Sequence, residues 1–304
     1  MENDRGGDKL GFIGLGVMGE PMCRNLARRS HARVLAYDLR VDPLKRLSAD
    51  GVVAARSLAE VAADADIVFL SLPGEREIRQ VCLGAQGLLE LGHEGQVIVD
   101  CSTAPVSLAR ELAAAFAARD AHFADAPVAR TRQAAVDGTL SIMVGTDAFV
   151  YHRIEPLLRF MAAEVTHCGA AGAGQAVKLL NNMVLSITVV ALAEALAVAK
   201  ASGVVDPALL FDTLAKGSAD SFALRNHGMG ALLPERHPEH AFPVTYMLKD
   251  VAYAIDLARD AGLDLLGAGT AKKLLEETAA LGLGEKYHTA LIEAVRRHRA
   301  SSGG

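Results

Sequence analysis

Lys178, Asn181 and Asn182 stand at i, i+3 and i+4, a spacing that puts an ammonium and two carboxamides on one side of a helix. That set suits a reaction in which a carbonyl oxygen gains or loses a proton. Hydride transfer to an aldehyde or ketone makes an alkoxide, which must be protonated or stabilised as it forms. Lys178 is the expected general acid/base. Its neighbours Ala176, Val177, Leu179 and Leu180 would desolvate its stem, and burial near a positive charge moves a lysine's pKa down toward the working range. Asn182 is expected to hydrogen-bond the substrate oxygen, and Asn181 to position the lysine or the substrate. The competing reading is a boundary lysine that extends its amine to water.

A hydride needs a donor, and the N-terminal region offers a place for one. Gly14-Leu15-Gly16-Val17-Met18-Gly19 follows the apolar run Leu10–Ile13 and precedes a helical pattern. In a G-x-G-x-x-G turn the first glycine makes the tight turn and the second admits a pyrophosphate. The third lets helix and strand pack closely. The helix start then faces the phosphates with its N–H groups, which brings Val17 and Met18 to the cofactor as well. An acidic residue about 20 positions on, closing the next strand, completes the fingerprint. Asp38 does so after Val34-Leu35-Ala36-Tyr37. Its carboxylate would accept both adenosine ribose hydroxyls and repel a 2′-phosphate. NAD is therefore favoured over NADP, with Arg40 softening the discrimination.

These residues need elements to hold them. Short apolar runs alternate with amphipathic stretches through the first half, the pattern of βαβ units and a parallel sheet. Strands are expected at Leu10–Ile13, Arg33–Tyr37, Ile67–Leu70, Gln96–Val99, His122–Ala124, Leu140–Val144 and Glu164–His167. Helices are expected at Pro21–Arg29, Val41–Asp50 and Ser107–Ala118. The small-residue segment Gly169–Gly174 marks a boundary, giving a nucleotide-binding domain over residues 1–169 and an all-helical domain over 170–304. A long apolar helix over Gly174–Ala201 opens the second part. Pro207–Ala215, Leu248–Ala261, Ala268–Leu281 and Tyr287–Arg299 follow, and the tail Ala300–Gly304 is expected to fray.

Composition narrows the class. Hydrophobic residues make up 51% of the 304 and charged residues 22%, enough for a large core. A net charge of -5 and the absence of tryptophan argue against nucleic acid, which needs a concentrated basic face or stacking aromatics. Cys23, Cys82, Cys101 and Cys168 form no CxxC pair, as suits reduced thiols in the cytoplasm. The polar start Met1–Lys9 is unlike a signal peptide. Met183–Ala199 approaches membrane length, but Glu194 would be costly in lipid, so a buried helix is expected. No metal site is expected. His237 and His240 flank a proline in a loop with no third ligand.

With these residues placed, the chain resembles the β-hydroxyacid dehydrogenase family over nearly its whole length. The matching blocks run in order: Gly11–Met22; Ser71-Leu72-Pro73; Asp100-Cys101-Ser102-Thr103; Asp125-Ala126-Pro127-Val128 through Gly145; Gly172–Asn182; and Lys249-Asp250. The resemblance implies a Rossmann domain, a long linking helix and an all-helical domain, assembled as a homodimer or homotetramer. It implies that Lys178 is the acid/base and that an asparagine holds substrate. Leu72 and Pro73 would meet the adenosine and pyrophosphate, Thr103 the nicotinamide side, and Lys249 the cofactor from the helical domain. Read without the family, Ser71 and Thr103 are strand-end capping groups.

One loop departs from the family. Where members carry Ser-Gly-Gly, this chain has Ala129-Arg130-Thr131. Losing the serine and both glycines removes a carboxylate cradle, while Arg130 brings a planar fork of donors. The loop is similar to that of sulfolactaldehyde reductase, a family member that binds a sulfonate. Arg130 and Thr131 are thus expected to hold the terminal anion of a short aldehyde or alcohol, a sulfonate first and a carboxylic semialdehyde second. Solvated loop charges at Arg130 and Arg132 are the alternative. Two rival functions remain. An imine reductase shares the architecture but generally lacks the lysine, and a catalytically silent dinucleotide binder would have lost the lysine or the glycines.

Overall fold

In the computed structural model, which describes residues 8–239 and 241–298, the apolar runs of the first half become neighbouring strands. The chain divides into two compact units, Met1–Lys178 and Leu179–Gly304. Among the described residues of the first, nine strands form one sheet. They are β1 (Leu10–Ile13), β2 (Val34–Tyr37), β3 (Val53–Ala54), β4 (Ile67–Leu70), β5 (Val97–Asp100), β6 (His122–Asp125), β7 (Val128–Ala129), β8 (Leu140–Gly145) and β9 (Ala162–Gly169). The order is β3-β2-β1-β4-β5-β6-β8-β7, with β9 beside β8. Helices α1 (Gly19–Ser30), α2 (Val41–Leu47), α3 (Leu58–Asp64), α4 (Glu75–Leu83), α5 (Leu88–Leu91), α6 (Val106–Ala117), α7 (Arg132–Asp137) and α8 (Ala148–Leu158) lie in the connections.

Strands β1, β4 and β5 are fully buried and, apart from Asp100 at the end of β5, apolar, because both faces of the sheet are covered there. Successive side chains point to opposite sides. Leu10 and Phe12, Ile67 and Phe69, Val97 and Val99 enter one core. Ile13, Val68, Leu70 and Ile98 enter the other. Phe12 and Phe69 stack with centroids 6.1 Å apart across adjacent strands. Strand β1 pairs in parallel with β2 on one side and β4 on the other. Strand order reverses there, and such a point opens a crevice beyond the carboxyl ends of the strands.

The parallel sheet expected from the sequence extends from β3 to β6, and beyond it the sheet is mixed. Strand β8 runs antiparallel to both β6 and β7. Residues 130–139, which join β7 to β8, are too few for a parallel crossover, which takes about a dozen or more. Strands β3 and β7, each two residues long, fall below the length at which alternation can be read.

The first unit ends in the opening turns of α9 (Ala173–Ser202), and the remainder of that helix begins the second. By length and composition α9 could cross a membrane, but 44% of its most apolar window is buried within the protein. Val189, Val190, Leu192, Ala193 and Leu196 pack into the core of the second unit, while Glu194 and Lys200 are exposed. Helix α10 (Pro207–Leu214) starts where Asp206 accepts from the Leu209 N–H, with Pro207 at its first position, the expected opening for a helix. Helices α11 (Val244–Asp260) and α12 (Leu266–Thr278) pack together.

Three helical expectations need correction here. Helix α11 begins four residues before the expected Leu248. Helix α12 gives way at Thr278 to a wide π-type turn over Ala279–Leu283, where Gly282 leaves helical geometry with φ 80°. The last segment is a 3-10 turn, His288–Leu291, followed by the short α13 (Ile292–Val295), rather than one helix over Tyr287–Arg299. A π-helical stretch over Leu224–Leu232 was not foreseen. The N-terminal residues 1–7, His240 and the tail from Arg299 lie outside the described residues.

Candidate active site

The glycine turn sits at the end of β1 and is shaped by its neighbours. Gly14 has φ 91°, and a Cβ there would collide with the Ser71 carbonyl oxygen. The Gly14 N–H donates to the Tyr37 carbonyl at 3.0 Å, and the Ser71 N–H donates to the Ile13 carbonyl at 2.9 Å. A Cβ on Gly19 would strike the Gly14 carbonyl, so helix α1 lies directly on the turn. By contrast, nothing lies within 4 Å of the Cβ position at Gly16. These are the close turn, the close packing and the open approach that a pyrophosphate cradle requires. Val17 is exposed and Met18, half-buried, is the N-cap of α1 and makes no side-chain cap bond.

Asp38 closes β2 beside this turn. Its Oδ2 accepts from the Leu15 N–H at 2.6 Å, and its Oδ1 accepts from the Arg40 N–H at 2.8 Å and Arg40 Nε at 3.1 Å. Arg40 Nη2 also donates to the Leu15 carbonyl at 3.0 Å. Burial works to raise the Asp38 pKa, but the Arg40 and Leu15 donors outweigh it and hold the carboxyl below its usual range. It is an ionised carboxylate beside a dinucleotide-type turn.

On the other side of the crevice, Leu72 and Pro73 follow β4. The Leu72 N–H donates to Ser102 Oγ at 2.9 Å, tying this loop to the one after β5. That second loop carries the half-buried Thr103. The first turn of α9 meets it through Gln175, whose Nε2 donates to the Ser102 carbonyl at 2.8 Å. Gln175 Oε1 accepts from the Ala104 N–H at 3.1 Å. Lys178 lies one turn further along the same helix and is only 8% exposed.

Beneath that turn is Asp125, at the end of β6 and fully buried. Its Oδ1 accepts from the Gly172 N–H at 2.6 Å and its Oδ2 from the Gln175 N–H at 2.7 Å. Burial pushes the Asp125 carboxyl up to about 6 in spite of these donors. Neither Asp125 nor Gln175 was assigned a role from sequence. The only signal was that each is a polar residue inside an otherwise apolar or small-residue block.

In the second unit, Asn182 is buried and its Nδ2 donates to Asp250 Oδ2 at 2.7 Å, while Asn181 is exposed and donates to Asn182 Oδ1 at 3.1 Å. Asn182, expected to meet substrate, thus has its amide N–H directed at Asp250. Lys249 Nζ lies 3.4 Å from Asp250 Oδ1 and 5.8 and 5.5 Å from the ring centroids of Tyr246 and Tyr253.

The variant loop lies at β7 and the start of α7, with Ala129 half-buried. Arg130 has φ 88°, a left-handed conformation that a glycine adopts without strain. Its Nη1 donates to the Thr139 carbonyl at 2.8 Å. Thr131 caps α7, its Oγ1 accepting from the Ala134 N–H at 3.3 Å. Arg132 is exposed. Among the described residues no group of three His, Cys, Asp or Glu side chains is placed to hold a metal ion.

Residues 9–169 match the family model for the NAD binding domain of 6-phosphogluconate dehydrogenase. Residues 172–295 match that for the NAD-binding part of NADP-dependent 3-hydroxyisobutyrate dehydrogenase. The 2-hydroxy-3-oxopropionate reductase of Escherichia coli (strain K12) is 33% identical over 288 residues, covering 94% of this chain and 97% of that protein. Among solved structures, Mycobacterium tuberculosis 3-hydroxyisobutyrate dehydrogenase with L-serine is similar at a TM-score of 0.86 and 31% identity. That match covers 95% of this chain and 99% of the other. An imine reductase from Pseudomonas sp. has a TM-score of 0.60 at 17% identity, with coverage of 95% and 99%, a likeness of fold alone.

Proposed function

The chain belongs to the β-hydroxyacid dehydrogenase family of NAD(P)-dependent oxidoreductases acting on CH–OH groups, and on that premise we propose that it interconverts a short anionic aldehyde and its hydroxy acid, with NAD as cofactor and Lys178 as general acid/base. The observation that carries this reading is the buried Lys178, one helical turn from a glutamine that brackets Thr103.

Residues fit for the dinucleotide line the crevice. Gly14, Gly16 and Gly19 give the pyrophosphate room, Val17 and Met18 lead into the helix that would face it, and Asp38 would take the adenosine ribose. Leu72, Pro73 and Thr103 belong to the loops that end β4 and β5, and Lys249 is the cofactor residue proposed in the second unit. When bound, the nicotinamide supplies or accepts the hydride. In reduction the carbonyl oxygen gains the electron pair of the C=O π bond and takes a proton from Lys178 Nζ. In oxidation the same amine removes it. Asn181, the exposed carboxamide, is the one to meet substrate, and Asn182, held by Asp250, orients it.

Arg130 sets the substrate class in this reading. A non-glycine residue at positive φ costs about 1–3 kcal/mol and persists where its surroundings impose it, often at functional loops. Its guanidinium has five N–H donors, and one of them is engaged with Thr139. Charge-assisted bonds to a terminal sulfonate or carboxylate are each worth about 1.5–3 kcal/mol. Arg130→Ala is therefore expected to lower kcat/KM for anionic aldehydes roughly 10- to 100-fold while leaving neutral aldehydes nearly unchanged. Sulfolactaldehyde, succinic semialdehyde, tartronate semialdehyde and a neutral aldehyde, each assayed with NADH and NADPH, test this. An equal loss on the neutral aldehyde would rule out the anion clamp.

A homodimer or homotetramer is part of the proposal. Along α9, Leu180, Val184, Ala191 and Val198 are all exposed, a recurring apolar stripe of the sort that marks an association face. Light scattering during size-exclusion chromatography is expected to give a multiple of the 31.9 kDa chain mass. A monomer at micromolar concentration would refute it.

A further inference from the structure

We propose that Asp125 and Gln175 are positioning residues that lock the first turn of the Lys178 helix to the loop carrying Thr103. This rests on the reading of Lys178 as acid/base. Asp125 is built into its place. Its two carboxylate oxygens accept from different N–H groups of one turn, Gly172 and Gln175. A Cβ at Gly145 would lie 2.5 Å from Asp125 Oδ1, and one at Gly174 would lie 2.8 Å from Oδ2. The two glycines are thus the space cut for this carboxylate. An asparagine of equal shape would aim an N–H at an N–H, so only a carboxylate satisfies both donors.

Gln175 completes the lock from the helix side. Its backbone N–H goes to Asp125, and its side chain, also fully buried, bonds the residues on either side of Thr103. One residue thereby fixes both the helix start and the loop. Lys178, at i+3 from Gln175, shares its side of the helix, so these bonds fix the helix turn from which the lysine projects relative to the Thr103 loop. Displacements of about an ångström at a reacting group cost rate steeply, and a doubly buried network rigidifies when every member is satisfied.

Hydrogen exchange and kinetics together test the lock on the full chain. Gln175→Met keeps the side-chain volume and removes both side-chain bonds. Amides in the segments 100–104 and 172–178 are expected to exchange at least about tenfold faster together, the Ala104 N–H directly and the helix turn through the lost tether. With tartronate semialdehyde and NADH, kcat is expected to fall about 10- to 100-fold with KM changed less than threefold. The primary isotope effect from 4-deuterated NADH is expected to rise as hydride transfer becomes limiting. A merely structural glutamine would lower Tm and leave kcat and the isotope effect alone. Asp125→Asn should reproduce the exchange at 172–178, and if it fails to fold, Gln175→Met still decides.

Unchanged exchange at either segment in Gln175→Met, or an unchanged kcat, overturns the proposal. Failure of the underlying reading shows differently, as Lys178→Met retaining turnover. If the wild-type chain turns over none of the aldehydes, exchange of the two segments alone upholds or overturns the lock.

Discussion

Lys178→Met lowers kcat by about 10²- to 10⁴-fold, the range expected for loss of a positioned proton donor, and leaves NADH affinity within about twofold. Methionine fills the volume of the lysine stem, and Lys178 is buried, only 8% exposed. Packing is therefore kept while the amine is lost. Lys178→Arg separates proton transfer from simple charge. A guanidinium stays protonated at any working pH, so it preserves a cation near the alkoxide yet cannot cycle a proton. If arginine is as inactive as methionine, the lysine moves a proton. If arginine restores most of kcat, its role is electrostatic stabilisation. Fluorescence titration with NADH and steady-state kinetics on the semialdehyde panel read both arms. More than about a tenth of wild-type turnover in Lys178→Met would remove the residue from the chemistry.

The N-terminal half could be read from sequence because its chemistry fixes its backbone. A pyrophosphate cradle needs glycine at three places for three separate reasons. In the structure Gly14 lies against Ser71, Gly16 is open and Gly19 lies against Gly14. Strands buried on both faces read as short unbroken apolar runs, and β1, β4 and β5 were placed to within a residue. What escaped is what has no local signature. Strand β7 is two residues long, and its antiparallel pairing to β8 follows from the short connection between them rather than from residue types. The π-helical stretch Leu224–Leu232 contains Gly228 and Gly230. Both depress helical propensity, and its i→i+5 bonding has no familiar repeat.

The site divides in the same way. The roles proposed for Lys178 and Asp38 rest on residue type and spacing. Asp125 and Gln175 act through partners 47 to 73 positions away, and Asn182 is turned toward Asp250, 68 positions on. Sequence spacing within a helix placed Asn182 on the side of Lys178, but it carries no information on which distant carboxylate its amide meets. The Arg130 loop is intermediate. Its departure from glycine was plain, whereas its positive φ and the tether to Thr139 belong to tertiary structure. Thr131, expected to share the anion, accepts at its hydroxyl oxygen from the Ala134 N–H at the start of α7, a local cap that leaves its O–H as a donor.

The second large effect concerns cofactor choice. Asp38→Ser is expected to lower affinity for NADH about 10- to 100-fold, the worth of one or two hydrogen bonds to a charged acceptor. It should raise affinity for NADPH by removing a like charge from the 2′-phosphate. The NADH/NADPH ratio then moves by roughly two to three orders of magnitude. Arg40 makes the swing large. Its Nε now donates to Asp38 Oδ1, and its Nη2 is tied to the Leu15 carbonyl, so it partly neutralises the carboxylate and sits next to it. With Asp38 gone, the same guanidinium is positioned for a phosphate, which suits its fork of donors. Arg40→Ala should act in the opposite sense, leaving Asp38 unneutralised and sharpening the preference for NADH. Titration with each dinucleotide reads both variants without any substrate. Two shifts of opposite sign would show that the pair sets the preference. A wild-type chain that already favours NADPH strongly would mean that Arg40, and not Asp38, governs the adenosine end of the crevice.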